Sequence, residues 1–295
     1  MNAPLAKVIA AKRAQPYDPS KSVETLRAEY AGSANAIPLP SGTSYEAVEA
    51  NAVPAEWIDA PGAAADQVFL FVHGGGYYRG SVADTRATAA RISAATAMRC
   101  LSVDYRLAPE HPFPAAIDDT HAAYRFLLEA GFAANRLVVG GVSAGGGLTL
   151  ALLLAARAAG DPLPAAAVPM SPWTDLCQSG ASFATKHDVD PSISKLYLDR
   201  MAGYYLNGAD PRDPLASPIY GDLRGLPPLL IQVGTSETLL DDSRDFTTRA
   251  RAEGCTVVLE EWPEMIHGWQ QLAHVLPEGQ AAIDRIGEFV RAQVG

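Results

Sequence analysis

Short apolar runs alternate with longer amphipathic segments from Gln67 to the end of the chain. Each apolar run ends near glycine or proline, and a segment with helical periodicity follows it. Strands that are apolar along their whole length and alternate with helices are typical of a parallel sheet covered on both faces. The predicted strands are Val68–Val72, Cys100–Val103, Leu137–Val139, Ala165–Val168, Leu229–Val233 and Thr256–Leu259. The predicted helices are Thr85–Ala97, Ala115–Ala130, Ala144–Ala159, Asp242–Ala252 and Gly279–Gln293.

The chain before this alternating region has a different pattern. Residues 1–45 hold two helical patterns, Leu5–Ala14 and Val23–Tyr30, and prolines separate and follow them. Because proline ends helices, these patterns predict two short helices rather than one long one. We interpret this region as an appendage that precedes the sheet.

A long insertion interrupts the alternation between the strand that ends near Met170 and the strand that starts at Leu229. Its length of roughly sixty residues exceeds what an ordinary crossover needs. An aromatic-rich helical pattern, Ser192–Leu206, lies inside it. Parallel sheets bind ligands at the carboxyl ends of their strands, so we expect a cap over that edge. A surface helix packed on the core is the alternative.

Composition places the chain among folded globular proteins. Of its 295 residues, 48% are hydrophobic and 19% are charged, which suffices for one large α/β domain and excludes general disorder. The net charge is −10, from 23 basic and 33 acidic residues. Because no basic run interrupts this balance, we expect no nucleic-acid partner.

The cysteines argue against a metal or redox centre. Cys100, Cys177 and Cys255 are far apart and show no C-x-x-C spacing, so we expect reduced thiols, no metal and no cofactor. The first residues lack the pattern of a signal peptide, and no apolar stretch is long enough to span a bilayer. We therefore expect a cytoplasmic protein without a membrane partner.

The segment that follows the predicted strand Leu137–Val139 contains a candidate nucleophile. Residues 140–147 read GGVSAGGG and continue into an apolar helical pattern, so G-x-S-x-G lies in a strand-turn-helix context. Small flanking residues allow the strand and helix to pack closely beneath a serine on a strained turn. Ser143 would also lie at a helix N-terminus, where free N–H groups stabilise negative charge.

The same glycines fit the G-x-x-x-G-x-G spacing of some nicotinamide-binding turns, from Gly141 through Gly145 to Gly147. Such a turn should follow the first strand of the sheet, and an acidic residue should follow the next strand. Here two predicted strands precede the turn. The one Tyr-x-x-x-Lys in the chain, Tyr17 to Lys21, lies far upstream and contains a proline. These features disfavour a dehydrogenase.

A run of glycines directly follows the first predicted strand. His73 precedes Gly74–Gly76, whose backbone N–H groups no side chain shields. Together with the N–H of Ala144, the residue after the serine, this loop can donate to an oxyanion. A flexible glycine turn would be the simpler interpretation if Ser143 were absent. We interpret His73 as an anchor of the loop.

A serine nucleophile needs a base, and in this strand order the base should follow the last strand. Among the six histidines His267 fits best, because it lies in a segment without helical periodicity just before Gly268. His274 falls in a helix that we expect to begin after Gly268, which favours a structural role for it.

The acid that orients the base should follow the predicted strand Leu229–Val233. Glu237 lies four residues beyond that strand. Asp241 and Asp242 are competitors, although N-capping of the next helix accounts for at least one of them. Glu237 is the first candidate, and Asp241 stays open as the second.

Four motifs occur together in a characteristic order. They are HGGG at residues 73–76, the block Tyr105–Asp119, the serine turn at residues 141–146 and Met265-x-His267. With these motifs, residues 45–295 resemble the bacterial hormone-sensitive-lipase-like esterases, the family IV carboxylesterases of the α/β-hydrolase fold. The resemblance implies a mostly parallel central sheet flanked by helices, with a small helical cap.

The resemblance also implies the site and the domains. The implied triad is Ser143, His267 and Glu237, and the implied oxyanion hole comprises Gly75, Gly76 and Ala144, beside Gly74. The implied cap comprises residues 1–45 and 178–212, and the implied core comprises residues 46–177 and 213–295. A homodimer would fit the family. Val142 departs from the Asp or Thr usual before the serine, and Glu237 replaces the Asp of many members, but neither change removes a triad member.

These observations predict a metal-free serine carboxylesterase that acts on a small ester through an acyl-enzyme. Aromatic residues after the glycine loop and in the cap pattern suggest a snug pocket and short acyl chains, with Tyr77 and Tyr205 as substrate-binding residues. An amide or N-acetyl hydrolase with the same triad is the alternative within this class. A small-molecule receptor on this fold is the alternative from another class, and the presence of His267 disfavours it.

Overall fold

A mostly parallel eight-stranded sheet forms the centre of the computed structural model, which describes residues 2–34 and 37–294. The strands are β1 Ser44–Ala50, β2 Val53–Asp59, β3 Ala64–Val72, β4 Met98–Val103, β5 Leu137–Val142, β6 Ala166–Met170, β7 Leu229–Gly234 and β8 Val257–Trp262. They lie in the order β1-β2-β4-β3-β5-β6-β7-β8. β1 and β2 pair antiparallel, β2 also pairs antiparallel with β4, and every later pair is parallel.

Helices cover both faces of this sheet, as the sequence predicts. They are α1 Ala3–Arg13, α2 Val23–Ala34, α3 Val82–Thr96, α4 Ala115–Glu129, α5 Ala144–Ala159, α6 Ser182–Thr185, α7 Lys195–Leu206, α8 Leu240–Ala252 and α9 Pro277–Gln293. Within the described ranges, none of them combines the length and apolarity needed to cross a membrane.

The alternation of side chains along β3 explains why both faces are covered. Successive residues of a strand point to opposite faces. Val68 and Leu70 pack in one apolar cluster with residues of α4, α5 and α8. Phe69 and Phe71 pack in a second cluster with residues of α3 and α9. A strand that packs in two cores is apolar along its whole length, and this continuous apolar run is what predicts the strand from the sequence.

The hairpin of β1 and β2 has no counterpart among the predicted strands. Most side chains of β1 are exposed, so its sequence lacks the continuous apolar run that identifies the inner strands. Its turn consists of Asn51 and Ala52, both with positive φ, at 50° and 65°. Tight hairpins favour positive φ at both turn positions, but alanine gives no signal for it in the sequence.

His274 does not lie in a helix, and that prediction is wrong. A short 3-10 helix spans Trp269–Leu272, His274 follows it in a turn, and α9 begins only at Pro277. Proline at the first position of a helix has the φ that a helix needs and no N–H to leave unpaired, which explains the late start.

The amino-terminal region and the insertion contact each other above the carboxyl edge of the sheet. The Arg13 guanidinium donates to the carbonyl oxygens of Asp188 and Val189, at 3.2 and 3.5 Å. The Tyr17 ring meets the Tyr197 ring edge-on, with 5.0 Å between centroids. α1 also packs its Leu5 side chain in a small apolar cluster with the segment around Ile266. The two regions therefore share one side of the molecule.

Candidate active site

Ser143 occupies a strained turn between β5 and α5. Its φ is 59° and its ψ is −120°, a conformation that costs a residue with a β-carbon about 1–3 kcal/mol. Its backbone is fixed on both sides, because its N–H donates to Met170 O at 2.9 Å and its carbonyl accepts from Trp173 N at 3.1 Å. The side chain is only partly buried. The turn thus presents a hydroxyl at the carboxyl edge of the sheet.

Glycine is required beneath this turn because backbone atoms leave no space for a side chain. A β-carbon on Gly145 would lie 2.1 Å from Val72 O, and one on Gly141 would lie 2.5 Å from the same atom. β3 therefore packs directly against the turn and the first turn of α5. This close packing holds the strained φ of Ser143 in place.

His267 and Glu237 form a hydrogen-bonded pair. His267 Nδ1 lies 2.7 Å from Glu237 Oε2, and no part of the Glu237 side chain is exposed. A carboxylate oxygen at this position accepts, so Nδ1 carries the proton and Nε2 is the nitrogen with a free lone pair. This tautomer is the one that a general base needs.

The second oxygen of Glu237 is held from two sides. Oε1 accepts from the backbone N–H of Gly234 at 2.5 Å and from the Ser171 hydroxyl at 2.9 Å. Because both carboxylate oxygens are engaged, the carboxylate cannot rotate away from the imidazole without losing hydrogen bonds.

Ser171 joins the acid to the loop of the base, but it was not among the site residues predicted from the sequence. Its Oγ donates to Glu237 and accepts from the N–H of Gly268, the residue after the histidine, at 3.3 Å. Ser171 directly follows β6, which lies in the sheet between the strand before Ser143 and the strand before Glu237. A polar residue directly after β6 was the feature of the sequence that could have indicated this role, because β6 ends at the same edge of the sheet as β5 and β7.

Asp241 and Asp242, the competing acids, are engaged elsewhere. The Asp241 carboxylate accepts from the N–H of Ser182 at 2.7 Å and faces Arg244 at 3.4 Å. Asp242 accepts from the N–H of Thr174 at 2.8 Å, and burial raises its pKa well above the usual value. The geometry therefore brings Glu237, and not Asp241, to His267.

The residues that flank Ser143 and His267 lie close to each other. A β-carbon at Gly268 would lie 3.4 Å from Cγ1 of Val142. The loop that carries the histidine therefore packs on the residue that precedes the serine. This arrangement places the loop of His267 beside the serine turn.

The glycine loop after β3 lies against the serine turn. A β-carbon on Gly74 would be 2.8 Å from Val142 O and 3.3 Å from Ser143 Cβ. Gly75 and Gly76 have positive φ values of 121° and 62°, which side chains disfavour. The N–H of Ala144 opens α5 and has no acceptor within the helix. These groups are the donors that the sequence predicts for an oxyanion.

His73 anchors this loop as a neutral side chain. Its Nδ1 donates to Gly74 O at 2.8 Å, and its ring stacks on Tyr105 with 4.2 Å between centroids. The Tyr105 hydroxyl donates to His73 O at 3.1 Å. Burial lowers the pKa of His73 to about 4, so it carries no charge near neutral pH.

Tyr77 and Tyr205 stack on each other, with 3.8 Å between ring centroids and 6° between planes. Both side chains are buried, at 1% and 0% exposure. Phe113 N donates to Tyr205 O at 2.7 Å, so α7 is joined to the block of prolines as well as to the glycine loop. Contact of the two rings with substrate stays a prediction.

Comparison with known proteins gives a consistent result. A family model described as the alpha/beta hydrolase fold matches residues 69–271. An acetyl-hydrolase of Streptomyces hygroscopicus is 48% identical over 82% of this chain and 80% of its own length. An esterase of Acinetobacter venetianus is 37% identical over 77% and 75%, respectively.

Solved structures agree with these relatives. The crystal structure of an esterase from the bacterial hormone-sensitive lipase family is 50% identical and has a TM-score of 0.97. The match covers 100% of this chain and 99% of that one. The crystal structure of an esterase/lipase from an uncultured bacterium is 43% identical, with a TM-score of 0.95, over 99% of each chain. The predicted fold and resemblance are confirmed: the chain belongs to the hormone-sensitive-lipase-like esterases of the alpha/beta hydrolase fold.

Proposed function

We propose that Ser143, His267 and Glu237 are the catalytic triad of this carboxylic ester hydrolase. The observation that carries the proposal is the 2.7 Å bond between His267 and the buried carboxylate of Glu237, beside a serine on a positive-φ turn. Glu237 holds the imidazole with Nε2 free, and the turn presents the hydroxyl that Nε2 would deprotonate.

The reaction proceeds through an acyl-enzyme. Ser143 Oγ attacks the ester carbonyl while His267 takes its proton, and the imidazolium then protonates the departing alcohol. Water then attacks the acyl-enzyme and gives a proton to His267, and the imidazolium returns that proton to Ser143 Oγ as the bond to the acyl group breaks and the acid leaves. Glu237 stabilises the imidazolium in both halves without itself becoming protonated.

The oxyanion hole is formed by the N–H groups of Gly75, Gly76 and Ala144, and Gly74 holds the loop beside the serine. Support comes from the lack of space for any side chain at Gly74 and from the positive φ of the next two glycines. Donors that are fixed before the reaction stabilise the developing charge without reorganisation.

Short acyl esters are the substrates that we propose, with Tyr77 and Tyr205 closing the pocket at the base of the cap. The two rings form a buried stack directly after the glycine loop, and we expect this stack to limit the length of the acyl chain. The name acetyl-hydrolase of one relative supports an acetyl group as acyl part. The cap would comprise residues 1–45 and 178–212 on a core of residues 46–177 and 213–295.

A panel of substrates tests this proposal. Values of kcat/KM would be measured on acetyl, butyryl and dodecanoyl aryl esters and on N-acetyl anilides, with Ser143→Ala as the blank. We expect acetyl or butyryl esters to be best and the blank to be inactive. A dodecanoyl optimum contradicts the short-chain proposal, anilides as the best substrates indicate an amidase, and an active blank contradicts the nucleophile.

We also propose that the protein works in the cytoplasm and forms a homodimer. The three free cysteines support a reducing compartment. Size-exclusion chromatography with light scattering tests the dimer, and fractionation of cells tests the location.

A further inference from the structure

A cavity of about 910 Å³ lies between the amino-terminal region and the insertion. Its volume falls in the range of small-molecule sites, about 300–1,000 Å³. Its wall comes from the segment 12–30, from Arg79 after the glycine loop and from residues 191–197 of the insertion. The triad and the proposed oxyanion hole contribute no residue to this wall.

Two cations in the wall lack a carboxylate partner. Within residues 2–34 and 37–294, no carboxylate lies within ion-pair distance of Lys12 or Arg79. The Arg79 guanidinium instead lies over the Tyr30 and Tyr197 rings, at 4.5 and 5.5 Å from their centroids. Burial lowers the pKa of Lys12, Asp190 partly offsets this effect, and Arg79 lowers the pKa again. An anion between the two cations would remove their repulsion.

The carboxylates near these cations are already engaged. Glu29 pairs with Lys21 at 2.6 Å. Asp18 accepts from the hydroxyl and the N–H of Ser20. Asp190 accepts from three backbone N–H groups, those of Thr238, Ser192 and Ile193, at 2.8 to 2.9 Å. The acids around the cavity are thus held in local bonds, whereas neither Lys12 nor Arg79 pairs with a carboxylate in the part of the chain that the structure describes.

The cavity lies one side chain away from the glycine loop. Tyr197 lines the cavity, and a β-carbon on Gly76 would lie 3.2 Å from its hydroxyl. Arg79 itself follows the loop, and its N–H donates to Gly75 O at 3.2 Å. Tyr197 and Arg79 therefore lie both in the wall of the cavity and next to the glycine loop.

We propose that this cavity binds a carboxylate at the far end of the ester substrate, with Lys12 and Arg79 as its cationic partners. The inference rests on the proposed esterase function and narrows its substrate class to anionic esters. The net charge of −10 repels anionic substrates from the protein as a whole. The two cations in this cavity would therefore favour anionic esters over neutral ones at this one place.

Two matched pairs of esters test the proposal and locate the carboxylate. The acyl arm compares the 4-nitrophenyl monoester of glutarate with 4-nitrophenyl hexanoate. The alcohol arm compares 3-acetoxybenzoate with 3-acetoxybenzamide. We expect Lys12→Met and Arg79→Met each to lower the anionic-to-neutral ratio of kcat/KM about tenfold in one arm, the value of one charge-assisted hydrogen bond. Arg79→Lys should restore part of the ratio.

Lys7→Met is the control, because Lys7 is an exposed residue of the same helix as Lys12. It should leave both ratios at the wild-type values. Equal ratios in Lys12→Met, Arg79→Met and Lys7→Met in both arms overturn the anion site and leave the esterase proposal intact.

A binding measurement tests the anion site independently of ester hydrolysis. Titration calorimetry would measure monomethyl glutarate on the wild type, Lys12→Met and Lys7→Met. Binding that Lys12→Met weakens and Lys7→Met preserves supports the site even if the esterase function fails. No binding to the wild type, or equal binding to all three proteins, contradicts it.

Discussion

The two sides of Ser143 differ in how their polar groups are satisfied. On the side of His267, both oxygens of Glu237 and the hydroxyl of Ser171 are used in hydrogen bonds. On the side of the glycine loop, Gly74 packs against the serine turn, and the anchoring His73 is buried and neutral near pH 7. A base must be held in one tautomer, whereas an oxyanion hole needs donors that are fixed but unoccupied.

Removing the Ser143 hydroxyl, which lies between the two sides, should lower kcat more than any other change. Ser143→Ala leaves the oxyanion donors and the base without a nucleophile. We expect kcat on an acetyl aryl ester to fall by about 10⁵ or more, as with loss of a serine from other triads. The melting temperature checks that the variant is folded. A decrease smaller than about tenfold would show that another group attacks the ester.

Changing the acid to its amide should disrupt the base side alone. Glu237→Gln can donate a hydrogen bond to Nδ1 and so favour the wrong tautomer of His267, and we expect kcat to fall about 10³- to 10⁴-fold. Asp241→Asn is the matched control, because its carboxylate contacts Ser182 and Arg244. Loss of activity in the control and retention in Glu237→Gln would reverse the assignment.

On the side of the glycine loop, the buried His73 should make the free energy of unfolding depend on pH. His73 has a pKa of about 4 in the folded protein, below the unfolded value of about 6.5. As pH falls from 7 to 5, the unfolded chain binds a proton that the folded protein does not, so unfolding becomes more favourable by about 2 kcal/mol. His73→Gln should lose that much less stability over this interval in urea unfolding.

The exposed His187 supplies the control for this measurement. His187→Gln should keep the pH dependence of the wild type. Identical curves for His73→Gln and the wild type would show that His73 is protonated without cost in the folded protein.

The smallest effect should come from the serine that braces the acid. Ser171→Ala removes one of two donors to Glu237 Oε1 and the acceptor of Gly268 N–H. We expect kcat to fall about tenfold with little change in KM, which corresponds to the loss of one hydrogen bond to a charge. Ser236→Ala removes a hydroxyl from the loop of Glu237 and should be neutral. Equal kcat values in both variants would assign no bracing role to Ser171.

The serine turn was predictable because local sequence determines it. Backbone contacts exclude side chains at Gly141 and Gly145, and the strained φ lies between an apolar strand and an apolar helix. Each of these requirements leaves small residues at fixed spacing. The same holds for the inner strands, which must be apolar on both faces.

Long-range contacts account for what the sequence did not reveal. Ser171 joins acid and base only because β6 lies between β5 and β7 in the folded sheet. β1 lacked a signal because its side chains face solvent at the edge of the sheet. The choice between Glu237 and Asp241 depended on which carboxylate the insertion engages, and Ser182 engages Asp241.

The most direct test of the central claim is the site and rate of reaction with a fluorophosphonate. Peptide mass spectrometry would locate the adduct, and its rate would be measured in the wild type and in His267→Ala. We predict one adduct on Ser143, formed about 10³-fold or more slowly without the imidazole. An adduct on another residue, or equal rates in the two proteins, would contradict the proposed triad.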